Sequence, residues 1–374
     1  MDPKLVHTDE PGAHRALLML DGKDIARVTT LDLRMRVGSA ILTMGGIAGV
    51  GTDDEHRNKG YAALLMQASL DWMRDAGYDC SVLFGIRDFY HRWGYAPLWA
   101  DSVLTLPVAE AALLDSPLDL VPCPAELLPQ VGSLFNQTNA TRTGSLARRD
   151  DWTGPSKGLD WSTGGLVFAS VVDDQLVGYV ILDDKPGRVE VVELAAAPGP
   201  LEGAFYAALI TFCGQKAELQ GLEAFNVHAP LDHPFCLFAR RLDGLATLRY
   251  ARTGGPMGCF INLRSAFDHI APELGRRLEH TPRPPSVTSR VSLSTDIGEL
   301  TLKAKEGLVT VIEGGGARDA LRLPQSLLMQ LVVGYRPFSD LVLEPLVEVT
   351  GNPGPLLGLL FPPQWGYIWP TDHF

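Results

Sequence analysis

Two short motifs, RNKGYA at positions 57–62 and FYHRWGY at positions 89–95, decide the fold of this chain. An apolar, glycine-rich segment ending at Val50 precedes the first motif, and a run with helical periodicity follows it. The first motif has the pattern R-x-x-G-x-A, in which a glycine turn leads from a strand into a helix. Such a turn points its backbone N–H groups at one place, at the positive end of the helix dipole. The segment therefore predicts a binding site for a pyrophosphate.

The residue types of the first motif suit a site for phosphates. Gly60 has no Cβ, which allows a ligand to approach the backbone closely. Ala62 and Ala63 keep the first helical turn slim, and Arg57 and Lys59 add positive charge. A glycine near a helix start is common, so the motif alone is weak evidence. The strand before it and the long amphipathic helix after it strengthen the prediction.

The second motif contains Tyr90 within an aromatic cluster. A tyrosine hydroxyl, with a pKa of about 10, can protonate a thiolate leaving group. The alternative interpretation is a core aromatic side chain, and for Phe89, Trp93 and Tyr95 this is the favoured one. Together the two motifs indicate an acyl-CoA-dependent transferase.

Composition limits the classes of function. The chain has 32 Lys and Arg against 44 Asp and Glu, a formal net charge of −12, which argues against nucleic acid as the main partner. An acidic surface suits a cationic acceptor such as an amine, although solubility alone also accounts for it. The sequence has no signal peptide and no run of roughly 20 apolar residues, so we expect no membrane partner and a cytoplasmic location.

The five cysteines are widely spaced, and no C-x-x-C pair occurs. An odd number at such spacings predicts reduced, mostly buried thiols rather than a disulfide framework or a zinc site. We therefore expect no metal. The cysteines are Cys80, Cys123, Cys213, Cys236 and Cys259.

Hydrophobic periodicity predicts two similar parts in the first 270 residues. The first part has strands at 14–20, 25–37, 39–50, 80–84 and 97–107, a helix at 60–76 and one or two helical turns at 88–93. After a proline-rich linker at 118–124, the second part has helices at 125–138 and 201–219 and strands at 165–172, 175–183, 189–196, 224–228 and within 246–263. The second part repeats the strand–strand–helix–strand order without the R-x-x-G-x-A motif, which predicts a degenerate second copy.

A third part follows the prolines at 282, 284 and 285. Three strands are predicted at 287–293, 298–305 and 308–313, with an apolar helix at 324–333. Its apolar side chains are expected to form a core rather than the wall of a lipid tunnel. These side chains are Leu327, Leu328, Leu331, Val332 and Val333.

Residues 47–97 resemble the GNAT acetyltransferase superfamily, through R-x-x-G-x-A at 57–62 and F-Y-x-R-x-G-Y at 89–95. The chain resembles most closely the enhanced-intracellular-survival (Eis) branch, whose usual F-P…D-Y-F ending is matched by Phe361-Pro362 and Asp372-His373-Phe374. The resemblance implies an α/β (α+β) fold. Two GNAT-like mixed-sheet domains, 1–117 and 118–270, would be followed by a sterol-carrier-protein-like α+β domain, 271–374.

The resemblance also implies roles for individual residues, with acetyl-CoA as co-substrate. Tyr90 would be the general acid, and Phe374 would be the general base through its C-terminal carboxylate. The backbone of Val50, Gly51 and Thr52 would bind the pantetheine arm and polarise the thioester carbonyl. The pyrophosphate would lie against Arg57, Asn58, Lys59, Gly60, Tyr61, Ala62 and Ala63, with Gly85 and Ile86 beside the cofactor.

The proposed base needs a physical justification. An α-carboxyl has a pKa of roughly 3.5, which makes it a weak base for an ammonium group. Burial that raises its pKa, a water relay or a partly neutral substrate would each remove this difficulty. A frayed terminus is the alternative, but Trp365, Tyr367, Trp369 and Phe374 supply apolar area to bury.

The expected function is transfer of an acetyl group to a primary amine of the aminoglycoside, polyamine or lysine type. The segment before Gly60 is shorter than in GNAT domains of this branch, which have a further strand and two helices there. We therefore expect a more open acceptor site, or one completed by another subunit, and a homo-oligomer. A non-catalytic acyl-CoA-binding or lipid-binding scaffold is the alternative, and a purely structural module is a third class.

Overall fold

The computed structural model describes residues 2–150, 152, 166–183, 185–281 and 288–374. Contacts divide the chain into two compact units. The first comprises Met1–Trp99, Ala251–Gly366 and Phe374, and the second comprises Ala100–Tyr250 and Tyr367–His373. The prolines at 282, 284 and 285 lie outside the described residues, as do the predicted starts of strands at positions 165 and 287.

The described residues form strands in three sheets. They are β1 (Lys4–Glu10), β2 (Ala13–Leu20), β3 (Lys23–Val37), β4 (Ala40–Thr52), β5 (Cys80–Gly85), β6 (Ala96–Pro97), β7 (Asp101–Pro107), β8 (Val121–Pro122), β9 (Leu166–Val172), β10 (Gln175–Asp183), β11 (Glu190–Ala196), β12 (Ala224–Val227), β13 (Leu245–Arg249), β14 (Gly255–Phe260), β15 (Ser289–Thr295), β16 (Gly298–Lys305), β17 (Leu308–Glu313), β18 (Ala320–Arg322) and β19 (Glu348–Thr350).

Helices lie between these strands. They are α1 (Tyr61–Asp75), α2 (Val108–Ala111), α3 (Leu128–Thr138), α4 (Glu202–Leu219), α5 (Pro234–Ala239), α6 (Leu263–Glu279), α7 (Gln325–Val332), α8 (Phe338–Leu341) and α9 (Gly354–Leu360). Short 3-10 turns occupy Asp54–His56, Tyr90–Trp93, Ala125–Leu127 and Pro370–Asp372. In the part of the chain that the structure describes, no helix has the length and apolarity needed to cross a membrane.

The first sheet lies in the first unit and has the strand order β1-β2-β3-β4-β5-β14-β6. β4 and β5 are parallel and are connected by α1, as the predicted strand–helix–strand order requires. Alternation along β2 and β3 places apolar side chains on one face, where Leu18 and Val28 belong to the same core as Leu65 and Met73 of α1.

The second sheet, in the second unit, has the order β13-β7-β12-β11-β10-β9-β8. Its parallel pair, β11 and β12, is connected by α4, so it repeats the arrangement around α1. The predicted hairpin turn is also present, because Asp173 and Asp174 join β9 to β10 with φ values of 49° and 60°. Positive φ at both central residues is what a two-residue type I′ turn requires.

The predicted single strand at 97–107 is wrong. Residues 96–97 form β6 in the first sheet, whereas residues 101–107 form β7 in the second sheet, between β12 and β13. β14 follows the second sheet in sequence and pairs with β5 of the first. Periodicity could not reveal this division, because both pieces have strand-like sequences and differ only in distant partners. The predicted boundaries after residues 117 and 270 stay predictions.

The third sheet belongs to the first unit and has the order β17-β16-β15-β18-β19. α6 packs against β16 and β17. The apolar residues of α7 form a core, as predicted: Leu328, Leu331, Val332 and Val333 are fully buried, and Leu327 is partly buried. The likeness of this region to a sterol carrier protein stays a prediction.

A buried charge network lies in the second unit. The Arg148 guanidinium donates to both carboxylate oxygens of Glu193, at 2.8 and 2.6 Å, and its Nε donates to Asp372 Oδ1 at 3.0 Å. The guanidinium carbon lies 3.5 Å from the centre of the Phe135 ring, and the Tyr179 hydroxyl donates to Glu193. Burial and the negative charge of Glu193 raise the pKa of Asp372 to about 6, against the opposing effect of Arg148.

We expect Arg148→Leu to destabilise the second unit by about 3–5 kcal/mol at pH 8, because two buried carboxylates lose their counter-charge. The loss should be smaller at pH 5, since a carboxyl whose folded pKa is raised binds a proton below that pKa. Urea unfolding at both pH values measures this. Arg264→Leu is the control, because its pair with Asp268 is half-exposed and screened by solvent, so its loss should change the free energy of unfolding little. An Arg148→Leu loss as small as that of the control would contradict the account.

Candidate active site

β4 and β5 pair over four residues and then separate. The parallel ladder extends from Met44 opposite Cys80 to Ile47 opposite Leu83. Beyond it, β4 continues on β3 as far as Thr52, while β5 continues on β14 as far as Gly85. Each strand is thus held by its outer neighbour, which leaves a gap between them. Two of the predicted site residues, Val50 on β4 and Gly85 on β5, lie beyond the point where the strands separate.

A β-bulge lies on the β4 side of the gap. Thr29 pairs with Ala48 and Arg27 pairs with Gly51, so two residues of β4, Gly49 and Val50, oppose one residue of β3. Gly49 has φ of 57°, a conformation that favours glycine. A bulge turns peptide groups out of the regular ladder. Val50 therefore lies outside the regular ladder, whereas Gly51 and Thr52 remain in register with β3.

The R-x-x-G-x-A turn leads directly into α1. Asn58 and Gly60 have φ of 61° and 79°, and Gly60 is the N-cap residue, so no side chain caps the helix. A Cβ at Gly60 would meet no atom within 4 Å, which means that the space in front of the turn is open. The N–H groups of Tyr61, Ala62 and Ala63 form the first turn of a 15-residue helix, where an anion is favoured.

The charges at this turn are only partly available to an anion. Arg57 is mostly exposed, and its guanidinium lies 2.8 Å from Asp54 Oδ1. Lys59 Nζ lies 3.3 Å from His56 Nδ1. Because Asp54 competes for the guanidinium, a bound phosphate would have to displace or share it. The predicted positive charge is present, and the acidic partner beside it was not predicted.

Tyr90 packs against the end of β5. A Cβ at Gly85 would lie 2.6 Å from Tyr90 Cδ2 and 2.7 Å from Leu83 Cδ1, so the ring requires glycine at this position. Tyr90 is 8% exposed, and burial raises its pKa above 10. Within the described ranges, no group hydrogen-bonds its hydroxyl. Tyr90 is therefore a neutral phenol with a proton to donate.

Phe374 lies on the other face of the first sheet. Its ring meets the Phe84 ring edge-on, with 5.4 Å between centroids, and a Cβ at Gly46 would lie 2.9 Å from Phe374 Cζ. Phe84 and Gly85 are consecutive, so their side-chain directions point to opposite faces of β5. Phe374 and Tyr90 thus contact neighbouring residues of β5 from opposite sides, just where the gap opens. Ile86, the next residue, is exposed.

Several residues that hold this site were missed by sequence reasoning. The Tyr95 hydroxyl donates to Ser81 Oγ at 2.7 Å, and Ser81 donates to the carbonyl of Gly45 at 2.7 Å. Asp88, which follows β5, accepts hydrogen bonds from Arg252 and Thr253, both at 3.0 Å. Ser81 and Gly45 lie inside the predicted strands, but the partners of Asp88 are more than 160 residues away, so no local pattern indicates them.

The described residues contain no group of three or more His, Cys, Asp and Glu side chains arranged to hold a metal ion. The five cysteines are all free thiols, and four of them are buried.

Comparison with known proteins identifies the domain that carries the gap. Residues 6–98 match the model of the acetyltransferase (GNAT) domain. A search of curated protein sequences gave no match. The matched segment contains both motifs and is similar to the GNAT domain that they resemble.

Solved structures share the fold of nearly the whole chain. A GCN5-related N-acetyltransferase from Anabaena variabilis is 19% identical with a TM-score of 0.74, and the match covers 96% of this chain and 89% of that one. A probable N-acyltransferase from Enterococcus faecalis is 17% identical, with a TM-score of 0.76 and coverage of 97% and 90%. Eis1 from Mycobacterium abscessus is 13% identical, with a TM-score of 0.65 and coverage of 96% and 90%.

At these identities the structural likeness shows the fold alone. It confirms the predicted fold class, a mixed α/β chain with GNAT-like sheets and a third sheet. Assignment to the Eis branch stays a prediction, and so do the roles of the individual site residues.

We expect Asp54→Asn to tighten the binding of coenzyme A about two- to fivefold, because it frees Arg57 for a phosphate. Isothermal titration at low ionic strength measures the dissociation constant. Asp71→Asn is the matched control, since Asp71 pairs with Arg74 at 2.8 Å within α1, away from the turn. Equal effects of the two substitutions, or none for Asp54→Asn, would show that the turn does not hold the phosphates.

Proposed function

We propose that this chain is an N-acetyltransferase that moves an acetyl group from acetyl-CoA to a primary amine by direct transfer. The observation that carries the proposal is the gap between β4 and β5, with the start of α1 beside it and Tyr90 at its edge. No side chain caps α1, and no described residue hydrogen-bonds the Tyr90 hydroxyl. The match of residues 6–98 to the GNAT domain supports it. The whole-chain likeness to solved structures supports the same fold.

The residues around the gap fit acetyl-CoA, which as co-substrate supplies an activated thioester. The open space at Gly60 and the free first turn of α1 suit the pyrophosphate, with Arg57 and Lys59 as further positive charges. The bulged backbone at Val50 would donate an N–H to the thioester carbonyl and stabilise the negative charge that develops on its oxygen. Gly51, Thr52, Gly85 and Ile86 would border the pantetheine arm.

Tyr90 would act as the general acid. In the transfer, a C–N bond forms between the amine and the acetyl carbon, and the C–S bond to the CoA sulfur breaks. The leaving thiolate takes the phenolic proton of Tyr90. Burial suits this role, because it raises the pKa of Tyr90 and so keeps the phenol protonated at neutral pH.

The carboxylate of Phe374 would accept the proton that the amine loses. Contacts of its ring with Phe84 and with the backbone at Gly46 would hold the terminus at the gap. In the part of the chain that the structure describes, no cation pairs with this carboxylate, so it stays available to the amine.

The acceptor would be a small cationic amine of the aminoglycoside, polyamine or lysine type. The net charge of −12 favours such molecules over anionic ones. Assembly into a homo-oligomer and a cytoplasmic location remain predictions.

A thiol-release assay over a panel of amines tests the proposal, together with a titration of acetyl-CoA. Binding without release on any amine would overturn it and favour the alternative, a non-catalytic acyl-CoA-binding scaffold.

We expect Tyr90→Phe to lower kcat about 100-fold or more while the dissociation constant of acetyl-CoA changes less than about twofold, because only proton donation is lost. In the wild type, half of the rate should be lost through ionisation of Tyr90 only above pH 10, since burial raises its pKa from that value. Steady-state rates from pH 6 to 10 and calorimetric titration measure these effects. Full activity of the variant would exclude Tyr90 as the acid.

Adding one alanine after Phe374 should lower kcat about 100-fold or more, because the ring stays and the carboxylate moves along the chain. Phe374→Leu, which keeps the carboxylate in place, should lose much less activity. Rates on the best amine of the panel compare the two proteins. If the extended chain keeps the wild-type rate, the terminal carboxylate is not the base.

A further inference from the structure

The first residue of α7 is buried against the turn that carries Tyr90. The turn Tyr90–Trp93 ends at Gly94, which has φ of 81°. A Cβ at Gly94 would overlap Nε2 of Gln325, so the backbone of Gly94 and the side-chain amide lie in direct contact. Gln325 is 4% exposed. A side chain more than 200 residues further along the chain therefore packs against the end of this turn.

Gln325 is itself held from two directions. Its Oε1 accepts the backbone N–H of Phe260, at the end of β14, at 2.9 Å. Its backbone N–H donates to Asp296 Oδ1, in the turn between β15 and β16, at 2.6 Å. The residue thus connects β14, which pairs with β5, to the third sheet. Its side-chain amide cannot turn away from β14 without breaking the hydrogen bond to Phe260.

A second glutamine of α7 holds the other end of the same segment. Gln330 Nε2 donates to the carbonyl of Pro97, in β6, at 2.9 Å. Gln325 at Gly94 and Gln330 at Pro97 therefore bracket the four residues that follow the turn. Between them, Tyr95 is anchored through its hydroxyl on Ser81.

Stability alone is a poor reason for a buried glutamine at position 325. Ordering the side chain costs about 1.5–2 kcal/mol of rotamer entropy. The one hydrogen bond of its side chain to Phe260 returns about 1 kcal/mol. Methionine has the same length and avoids burial of an amide. What only the amide offers is a hydrogen bond to β14 that fixes a side chain packed against the end of the Tyr90 turn.

We infer that Gln325 is a positioning residue for Tyr90, so that the third sheet, through α7, sets the direction of the phenolic hydroxyl. This inference rests on the proposed role of Tyr90 as proton donor. On this inference the region after residue 288 contributes to the reaction without binding a ligand of its own. Gln330 supports the same segment from the side of β6.

The first test is a double-mutant cycle of Gln325→Met and Tyr90→Phe. Gln325→Met should lower kcat about tenfold, with the dissociation constant of acetyl-CoA within about twofold of the wild type. In the Tyr90→Phe background the same change should lower kcat by less than about twofold, because there is no hydroxyl left to position. An equal loss in both backgrounds, or no loss in the wild type, would overturn the inference.

Ser292→Ala is the control for a general loss of stability in the third sheet. Ser292 is buried in β15 and hydrogen-bonds Thr301 and the N–H of Ala317, without contact to the Tyr90 turn. It should leave kcat within about twofold of the wild type. If Ser292→Ala lowered kcat as much as Gln325→Met, a general loss of stability would explain both effects, and the inference would be overturned.

A readout without turnover separates this inference from the proposed function. The full chain is labelled with 3-fluorotyrosine, and the 19F signal of Tyr90 is assigned by its loss in Tyr90→Phe. Gln325→Met should shift or broaden that signal, and Ser292→Ala should not. An unchanged signal would overturn the positioning role. A changed signal in a chain that acetylates no amine would instead place the failure in the proposed function.

Discussion

The separation of β4 and β5 after Ile47 and Leu83 is the constraint on which the rest of the site depends. Two parallel strands that diverge leave peptide groups without ladder partners, and such groups need either water or a ligand. Here each strand is kept extended by its outer neighbour, β3 on one side and β14 on the other. The gap is therefore built into the sheet and does not require a ligand to hold it open.

Because side chains alternate along β5, the proposed acid and the proposed base contact this strand from opposite faces of the sheet. Gly85 lies under the ring of Tyr90, and Phe84 meets the ring of Phe374. An acid and a base that face one gap from opposite sides can act on opposite ends of the same transfer without neutralising each other. The neutral phenol fits this arrangement, because burial penalises its charged form. The contact between Gln325 and Gly94 would then fix the direction of that phenol.

Local sequence features predicted the part of the site that is formed by neighbouring residues. Gly60 and the apolar periodicity of α1 were sufficient for the turn and its helix, and the predicted helical turn at 88–93 is found at Tyr90–Trp93. Contacts between distant segments could not be predicted: β14 beside β5, Arg252 at Asp88, and Gln325 at Gly94 all join residues more than 150 positions apart. β1 was missed because all of its residues are exposed, so it has no apolar alternation.

The central claim is that the gap between β4 and β5 receives the thiol end of coenzyme A beside Tyr90. A crystal structure of the full chain with coenzyme A tests it most directly. The account predicts the pyrophosphate at the N–H groups of Tyr61 to Ala63 and the sulfur within hydrogen-bond reach of the Tyr90 hydroxyl. Coenzyme A bound elsewhere, or a sulfur beyond reach of Tyr90 with the pantetheine arm outside the gap, would contradict it.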